Sequence, residues 1–105
     1  MTREISAPEL QTMLAGDDPP AIVDVREPWE IAICKLPGSI DIPLHRLPQR
    51  LQDIPSDRVV AVLCHHGVRS LMAAQFLEEN GIDAVSVSGG IDSWARTVER
   101  EMARY

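Results

Sequence analysis

The sequence predicts an α/β fold in which a mostly parallel sheet carries helices on both faces. Short apolar runs alternate along the chain with segments of helical period, and this alternation is typical of βα units that build a parallel sheet. Residues 59–63 are apolar at every position and rich in valine, as expected of a central strand covered on both faces. A length of 105 residues fits one domain, so we expect a single domain over residues 1–105.

The first predicted helix has a defined start. Ser6 followed by Glu9 has the spacing of a capping box, so we expect a helix from there to about Leu14, ended by the glycine and prolines of residues 16–20. The elements that follow are shorter. We expect a buried strand at residues 21–25, a helical turn at 27–33, a short apolar segment at 39–42, and a short helix at 44–51 that Pro48 interrupts.

The C-terminal half is predicted to form a helix, a strand and a second helix. Residues 69–80 are expected to be helical, with Gly81 in a left-handed cap, and residues 84–87 to be a strand. The apolar face of the first helix is predicted from five residues: Val68, Met72, Ala73, Phe76 and Leu77. An amphipathic final helix is predicted from a series spaced by three and four: Ile91, Trp94, Val98, Met102 and Tyr105.

Composition and charge exclude several classes of function. The net charge is −6 and no Lys/Arg cluster exceeds a dipeptide, so nucleic acid and anionic membranes are not expected as partners. No stretch approaches the ~18 apolar residues of a membrane span, and the N-terminus does not resemble a signal peptide. We therefore expect a soluble cytoplasmic protein. Two cysteines, Cys34 and Cys64, fit neither a disulfide scaffold nor a zinc site, and we expect no metal and no cofactor.

The segment after the central strand is the candidate for chemistry. Ligands bind beyond the carboxyl ends of parallel strands, and Cys64 is the first residue after this strand. Gly67 permits a tight backbone turn, the amides of the loop can point inward, and the following helix adds its positive end. Arg69 adds a full positive charge. We therefore predict Cys64 as a thiolate nucleophile, with Arg69 and the loop amides stabilising it and holding an anionic sulfur donor.

The other loop residues leave alternatives open. Ser70 either caps the helix or hydrogen-bonds into the loop, and a surface salt bridge is the alternative for Arg69. The two histidines are expected to point in different directions, which argues against a metal site with Cys64, and to line the pocket mouth. The predicted substrate-binding part of the loop is His65, His66, Gly67, Val68 and Ser70.

The chain resembles the rhodanese-like domain family in four stretches that cover nearly its whole length: residues 22–27, 36–40, 64–70 and 89–94. The resemblance implies a five-stranded parallel sheet, an active-site cysteine at Cys64, and backbone amides of residues 65–69 around a persulfide. It also implies a supporting role near the pocket for Asp24 and Arg26, with a structural ion pair as the alternative.

Two features depart from the usual pattern of the family. Members often have a histidine where this chain has Lys35. Many also carry a fused partner domain, whereas we expect a single domain here. The neighbouring Cys34 is either a small apolar residue or a resolving thiol for Cys64.

The predicted function is sulfur transfer from a thiosulfate-type donor to cyanide or a thiol, through a persulfide on Cys64. The partners would be these small molecules or a sulfur-accepting protein. One alternative is a non-catalytic thiol sensor or docking module. A phosphatase or arsenate reductase is the other, but those loops place five residues between cysteine and arginine. Only four separate Cys64 from Arg69, and the tighter loop suits a single sulfur atom better than a phosphate.

Overall fold

In a computed structural model, which describes residues 2–105, the chain forms a five-stranded sheet. The strands are β1 Arg3–Ile5, β2 Ala21–Asp24, β3 Ile40–Asp41, β4 Val60–Leu63 and β5 Ala84–Val87. Their order in the sheet is β1-β5-β4-β2-β3. Every neighbouring pair is parallel, which confirms the predicted α/β class. Because parallel strands end at the same edge of a sheet, the residues that follow β2, β4 and β5 come together there.

Helices cover both faces of the sheet. They are α1 Ala7–Leu14, α2 Pro28–Ile31, α3 Val68–Glu79 and α4 Gly90–Thr97, with two 3-10 segments at Leu44–Gln49 and Leu51–Asp53. Side chains alternate along β4, so Val60 and Val62 pack under α3 and the 3-10 segments, whereas Ala61 and Leu63 pack under α1 and α4. No helix within residues 2–105 is both long and apolar enough to cross a membrane.

Several local predictions are confirmed. Ser6 Oγ accepts a hydrogen bond from Glu9 N at 3.1 Å, and Ser6 N donates to Glu9 Oε1 at 3.0 Å, which completes the capping box of α1. Gly81 follows α3 with a φ of 82°. The helix expected around Pro48 is broken into the two 3-10 segments.

The predicted apolar face of α3 is wrong in part. Val68 and Met72 are 71% and 55% exposed, although both are apolar and lie four residues apart. The side of α3 that meets the sheet is built from smaller residues, Ser70, Ala73 and Ala74, together with Leu77. Small side chains let the helix lie close to the strands, so its larger apolar residues near the N-terminus remain at the surface.

The two ends of the chain also differ from the prediction. β1 was not predicted, because three residues are too few to show a period; it is placed by pairing with β5. The final helix ends at Thr97 rather than continuing to Tyr105. Val98 N and Glu99 N both donate to the carbonyl of Trp94, and from there the chain turns away from the helix axis. Met102 and Tyr105 still pack against the core under α4, which explains why they follow the apolar series.

Candidate active site

Cys64 lies at the carboxyl end of β4, and hydrogen-bond donors converge on its sulfur. Cys64 is 1% exposed. Gly67 N donates to Sγ at 3.0 Å and Ser70 N donates to it at 3.3 Å. Ser70 Oγ also lies close to Sγ, at 3.3 Å. The loop and the first turn of α3 therefore surround the sulfur with N–H and O–H groups, an arrangement that stabilises an anionic sulfur.

Gly67 makes the turn around the sulfur possible. Its φ is 104°, and it is the N-terminal cap of α3. A Cβ at this position would lie 3.0 Å from Gly89 N, so a side chain would be opposed both by the backbone conformation and by the neighbouring loop. This is the role the sequence predicts for Gly67.

The start of α4 holds the outer side of the same loop. Ile91 N donates to the carbonyl of Cys64 at 2.8 Å, and Asp92 N donates to the carbonyl of His65 at 3.1 Å. Gly90, with a φ of 59°, lies so close that a Cβ would collide with both carbonyl oxygens. These two hydrogen bonds fix the backbone that leads from Cys64 to Gly67, whose amide donates to the sulfur.

Ser70 hydrogen-bonds into the loop rather than capping the helix. Besides its contact with Cys64, its hydroxyl lies 2.8 Å from Ser86 Oγ on β5. Both serines are 0% exposed. Ser86 was not predicted as part of the site, because a single serine in an apolar strand gives no local signal of a partner on α3.

Arg69 is paired with a residue that sequence reasoning missed. Its Nη1 and Nη2 donate to the two carboxylate oxygens of Glu30 at 2.6 and 2.8 Å, and Glu30 is only 3% exposed. The Arg69 guanidinium is the main cause that lowers the pKa of Glu30 to about 2, and the same pair raises the pKa of Arg69. The charge of Arg69 is thus matched by a buried carboxylate beside the loop.

Asp24 and Arg26 form a buried ion pair. Both side chains are 0% exposed, and Arg26 Nη2 lies 2.8 Å from Asp24 Oδ2. Arg26 also donates to the backbone carbonyls of Glu30 at 3.3 Å and Cys34 at 2.8 Å. Burial alone would lower the pKa of Arg26, but hydrogen bonds to Asp24 and Tyr105 raise it above its ordinary value. The pair fixes α2 and the following turn, which corresponds to the structural alternative.

Cys34 is a half-buried free cysteine, and Cys64 is free as well. Cys34 packs against the core under α1 and α4, and its Sγ lies 3.9 Å from Arg26 Nη1. Lys35, which replaces the usual histidine, forms an ion pair of 2.9 Å with Asp41.

His65 and His66 lie side by side, so the expectation that they point in different directions is wrong. Their ring centroids are 3.9 Å apart, and the His65 ring also stacks on Tyr105 at 3.8 Å with an interplanar angle of 9°. His65 Nε2 is buried and has no hydrogen-bond partner within residues 2–105. Burial, and then the charge of His66, lower the pKa of His65, which keeps its ring neutral near pH 7. His66 is exposed, with Nδ1 4.0 Å from Asp92.

Those same residues, 2–105, contain no group of three or more His, Cys, Asp or Glu side chains placed to hold a metal ion.

Tyr105 connects the two ion pairs. Its hydroxyl accepts a hydrogen bond from Arg26 Nη1 at 3.0 Å and donates one to Glu30 Oε2 at 2.7 Å. Burial first, together with the nearby Glu30 carboxylate, raises the pKa of Tyr105 to about 12, so the phenol remains a donor. Its ring also makes an edge contact with Trp29, with centroids 5.8 Å apart. The spacing of the apolar residues predicts Tyr105 on a helix and gives no sign of its contacts in the site.

The comparison with family models assigns this fold and loop to a known group. The model of the Rhodanese-like domain matches residues 6–97. The chain belongs to the rhodanese-like domain family.

Individual relatives agree with this assignment. A protein of Allochromatium vinosum named sulfurtransferase is 38% identical over 97 residues, which cover 91% of this chain and 91% of the relative. The crystal structure of a rhodanese-like domain protein from Staphylococcus aureus is similar with a TM-score of 0.84 and 36% identity, covering 89% and 91% of the two chains. That of a rhodanese-related protein from Thermoplasma volcanium has a TM-score of 0.84 and 35% identity, covering 91% and 93%.

Within this rhodanese-like domain, the predicted site residues fall into two groups. The first group is the loop and the first turn of α3, in which Gly67 and Ser70 donate to the sulfur through their amides. The other predicted residues of this segment are its neighbours in the chain: His65, His66, Val68 and Arg69. Asp24 and Arg26 form the second group, and Arg26 is connected to the loop through Tyr105, which stacks on His65 and donates to Glu30, the partner of Arg69.

Proposed function

We propose that this rhodanese-like domain is a sulfurtransferase that carries sulfur on Cys64 as a persulfide. The observation that carries the proposal is the set of polar groups close to Cys64 Sγ: two backbone amides that donate to it at 3.0 and 3.3 Å, and the Ser70 hydroxyl at 3.3 Å. Such donors stabilise the thiolate that the first step needs. The relative from Allochromatium vinosum, which is named sulfurtransferase, supports the same activity.

The reaction has two steps in a ping-pong order. In the first, the Cys64 thiolate attacks the outer sulfur of a thiosulfate-type donor, the S–S bond of the donor breaks, and sulfite leaves with the bonding electron pair. In the second, cyanide or a thiolate acceptor attacks the terminal sulfur of the persulfide. The Cys64 thiolate then leaves as the new bond forms, and the enzyme returns to its starting state. No net oxidation of the protein occurs.

The residues around Cys64 divide the remaining work. Arg69 and the loop amides hold the anionic part of the donor, and Glu30 fixes the orientation of the Arg69 guanidinium through two hydrogen bonds. Two residues of this segment, His66 and Val68, are exposed and would contact the acceptor. The acceptor in the cell would be a small thiol or a sulfur-accepting protein, and cyanide serves as its experimental substitute.

The test is thiosulfate:cyanide sulfur transfer, measured as thiocyanate, with the intact mass of the protein recorded before and after each reagent. Cys64→Ser removes the proposed carrier, and Cys34→Ser is the matched control because it removes the other free thiol. We expect thiocyanate from the parent and Cys34→Ser but not from Cys64→Ser. The parent should gain the mass of one sulfur atom with thiosulfate and lose it with cyanide.

Two other results would change the assignment. If neither thiocyanate nor added sulfur is found in the parent, the thiosulfate-type reaction is wrong. If the persulfide forms but no acceptor removes it, the thiol-sensor alternative replaces the enzyme.

A further inference from the structure

Ser86 lies next to the site without touching the reacting sulfur. It pairs with Val62 across the sheet, and Cys64 follows two residues later on the same face of β4. Ser86 Oγ lies 2.8 Å from Ser70 Oγ, which in turn lies 3.3 Å from Cys64 Sγ. Within residues 2–105 the Ser86 side chain, 0% exposed, has Ser70 as its one hydrogen-bond partner. The three groups form a buried chain that ends on the sulfur.

We infer that Ser86 is a positioning residue, which holds the hydroxyl hydrogen of Ser70 on Cys64 Sγ and thereby favours the thiolate. The inference rests on the proposed function in one respect, that Cys64 reacts as a thiolate.

The number of hydroxyl and thiol hydrogens on Cys64, Ser70 and Ser86 favours the thiolate. With Cys64 as a thiol, the three groups carry three hydrogens but share only two contacts. One hydrogen then has no acceptor among these three groups, and a buried donor without a partner is unfavourable. With Cys64 as a thiolate, two hydrogens serve two contacts: Ser86 donates to Ser70, and Ser70 donates to the sulfur.

Ser86 matters because Ser70 has another way to use its hydroxyl. Ser70 lies in the first turn of α3, and a serine in a helix can turn its hydroxyl back to a carbonyl of the preceding turn. When Ser86 donates to Ser70 Oγ, the Ser70 hydrogen is directed along the chain to the sulfur. The donation also polarises the Ser70 hydroxyl, because hydrogen bonds in a chain strengthen one another.

The test is the pH profile of Cys64 alkylation by iodoacetamide, read by mass spectrometry of the Cys64 peptide. The variants are Ser86→Ala, Ser70→Ala and the double variant. We expect Ser86→Ala to move the midpoint of the profile to higher pH and to slow alkylation below the midpoint about two- to fivefold. Because Ser86 acts through Ser70, its removal should change nothing further in the Ser70→Ala background.

Val85→Ala is the matched control. Val85 is the neighbour of Ser86 on β5, but its side chain packs in the opposite core, under α1 and α4. This change loosens the same strand without touching the hydroxyl chain, so the parent profile should be retained. Thermal unfolding of each variant shows that it is folded under the conditions of alkylation.

Three results would overturn the inference: an unshifted profile in Ser86→Ala, an equal shift in the Ser70→Ala background, or an equal shift in Val85→Ala. Failure of the proposed function looks different. A parent that shows the expected alkylation profiles but transfers no sulfur would refute the sulfurtransferase and leave the role of Ser86 intact.

Discussion

Among single residues, Glu30 determines how Arg69 can act. It binds both terminal nitrogens of Arg69 and is itself held by Glu27 N at 2.9 Å and by the Tyr105 hydroxyl at 2.7 Å. An arginine held in this way has a fixed position, but its charge is already balanced. In the proposed reaction, Arg69 would therefore act on the donor directionally, through its remaining N–H groups, more than as a general attraction for anions.

Glu30 also predicts a dependence of stability on pH. Its pKa is lowered, chiefly by Arg69, from 4.5 to about 2 in the folded protein. A carboxyl group with a depressed folded pKa stabilises the fold above its unfolded pKa, and this contribution is lost as the pH falls through the folded pKa. Glu30→Gln should thus be less stable than the parent by about 3 kcal/mol at neutral pH, and the difference should shrink as the pH falls from about 4.5 toward 2.

Urea unfolding at several pH values measures this difference. Glu79→Gln is the control, because Glu79 is an exposed residue at the end of α3, and its difference from the parent should be small at every pH. A Glu30→Gln difference that stays constant down to about pH 2 would show that the Glu30 carboxylate does not stabilise the fold through its charge.

Residues that are close in the sequence could be predicted, and residues brought together by folding could not. Cys64, Gly67 and Arg69 lie within six positions, so their spacing alone indicates a loop around a nucleophile. Glu30 lies 39 positions before its partner Arg69, and Tyr105 lies 75 positions after its partner Glu30. Their contacts depend on the packing of α2 and on the path of residues 98–105, and neither leaves a periodic signal.

At the level of elements, the loop between β5 and α4 supports the Cys64 loop from outside. Its two left-handed glycines let α4 begin directly against the carbonyls of Cys64 and His65. The contact of this loop with the Cys64 loop depends on the register of β4 and β5, which the sequence does not show. β1 and the exposed side of α3 escaped prediction for a related reason, since a three-residue strand and a helix with small buried residues show no clear hydrophobic period.

Gly90→Ala should be much more harmful than Gly81→Ala. Both glycines have a positive φ, 59° and 82°, but a Cβ at Gly81 meets nothing within 4 Å, whereas at Gly90 it collides with two backbone oxygens. We expect Gly81→Ala to cost about 1–2 kcal/mol, the penalty for the left-handed conformation alone. Gly90→Ala should add about 1–3 kcal/mol for overpacking and should displace the Cys64 loop.

Chemical unfolding gives the two costs, and the rate of Cys64 alkylation reports the loop. Gly81→Ala should leave the alkylation rate near that of the parent. Equal costs for the two substitutions, with equal alkylation, would mean that the α4 start does not hold the loop in place.

Considered as a whole, the molecule has a charge distribution that opposes anionic reagents. The net charge is −6, and the two arginines on this side of the molecule are each paired with a carboxylate, Arg26 with Asp24 and Arg69 with Glu30. The site therefore carries no strong positive charge that would offset the negative charge of the rest of the described residues, 2–105. The anionic donor of the proposed reaction would therefore approach against repulsion before it reaches the amides around Cys64.

Salt should therefore accelerate anionic reagents selectively. Iodoacetate and iodoacetamide alkylate the same thiolate and differ in charge, so the ratio of their rates at Cys64 isolates the electrostatic part. Raising the ionic strength from about 0.01 to about 0.5 M shortens the screening length from about 30 Å to a few ångströms, and the iodoacetate:iodoacetamide ratio should rise about two- to fivefold. The kcat/KM for thiosulfate should rise in parallel.

A ratio that falls with salt would mean that an unbalanced cation at the site attracts the anion, and the candidate is Arg69 released from Glu30. Glu30→Gln frees that charge deliberately, so in this variant the ratio should be higher at low salt and should rise less as salt is added.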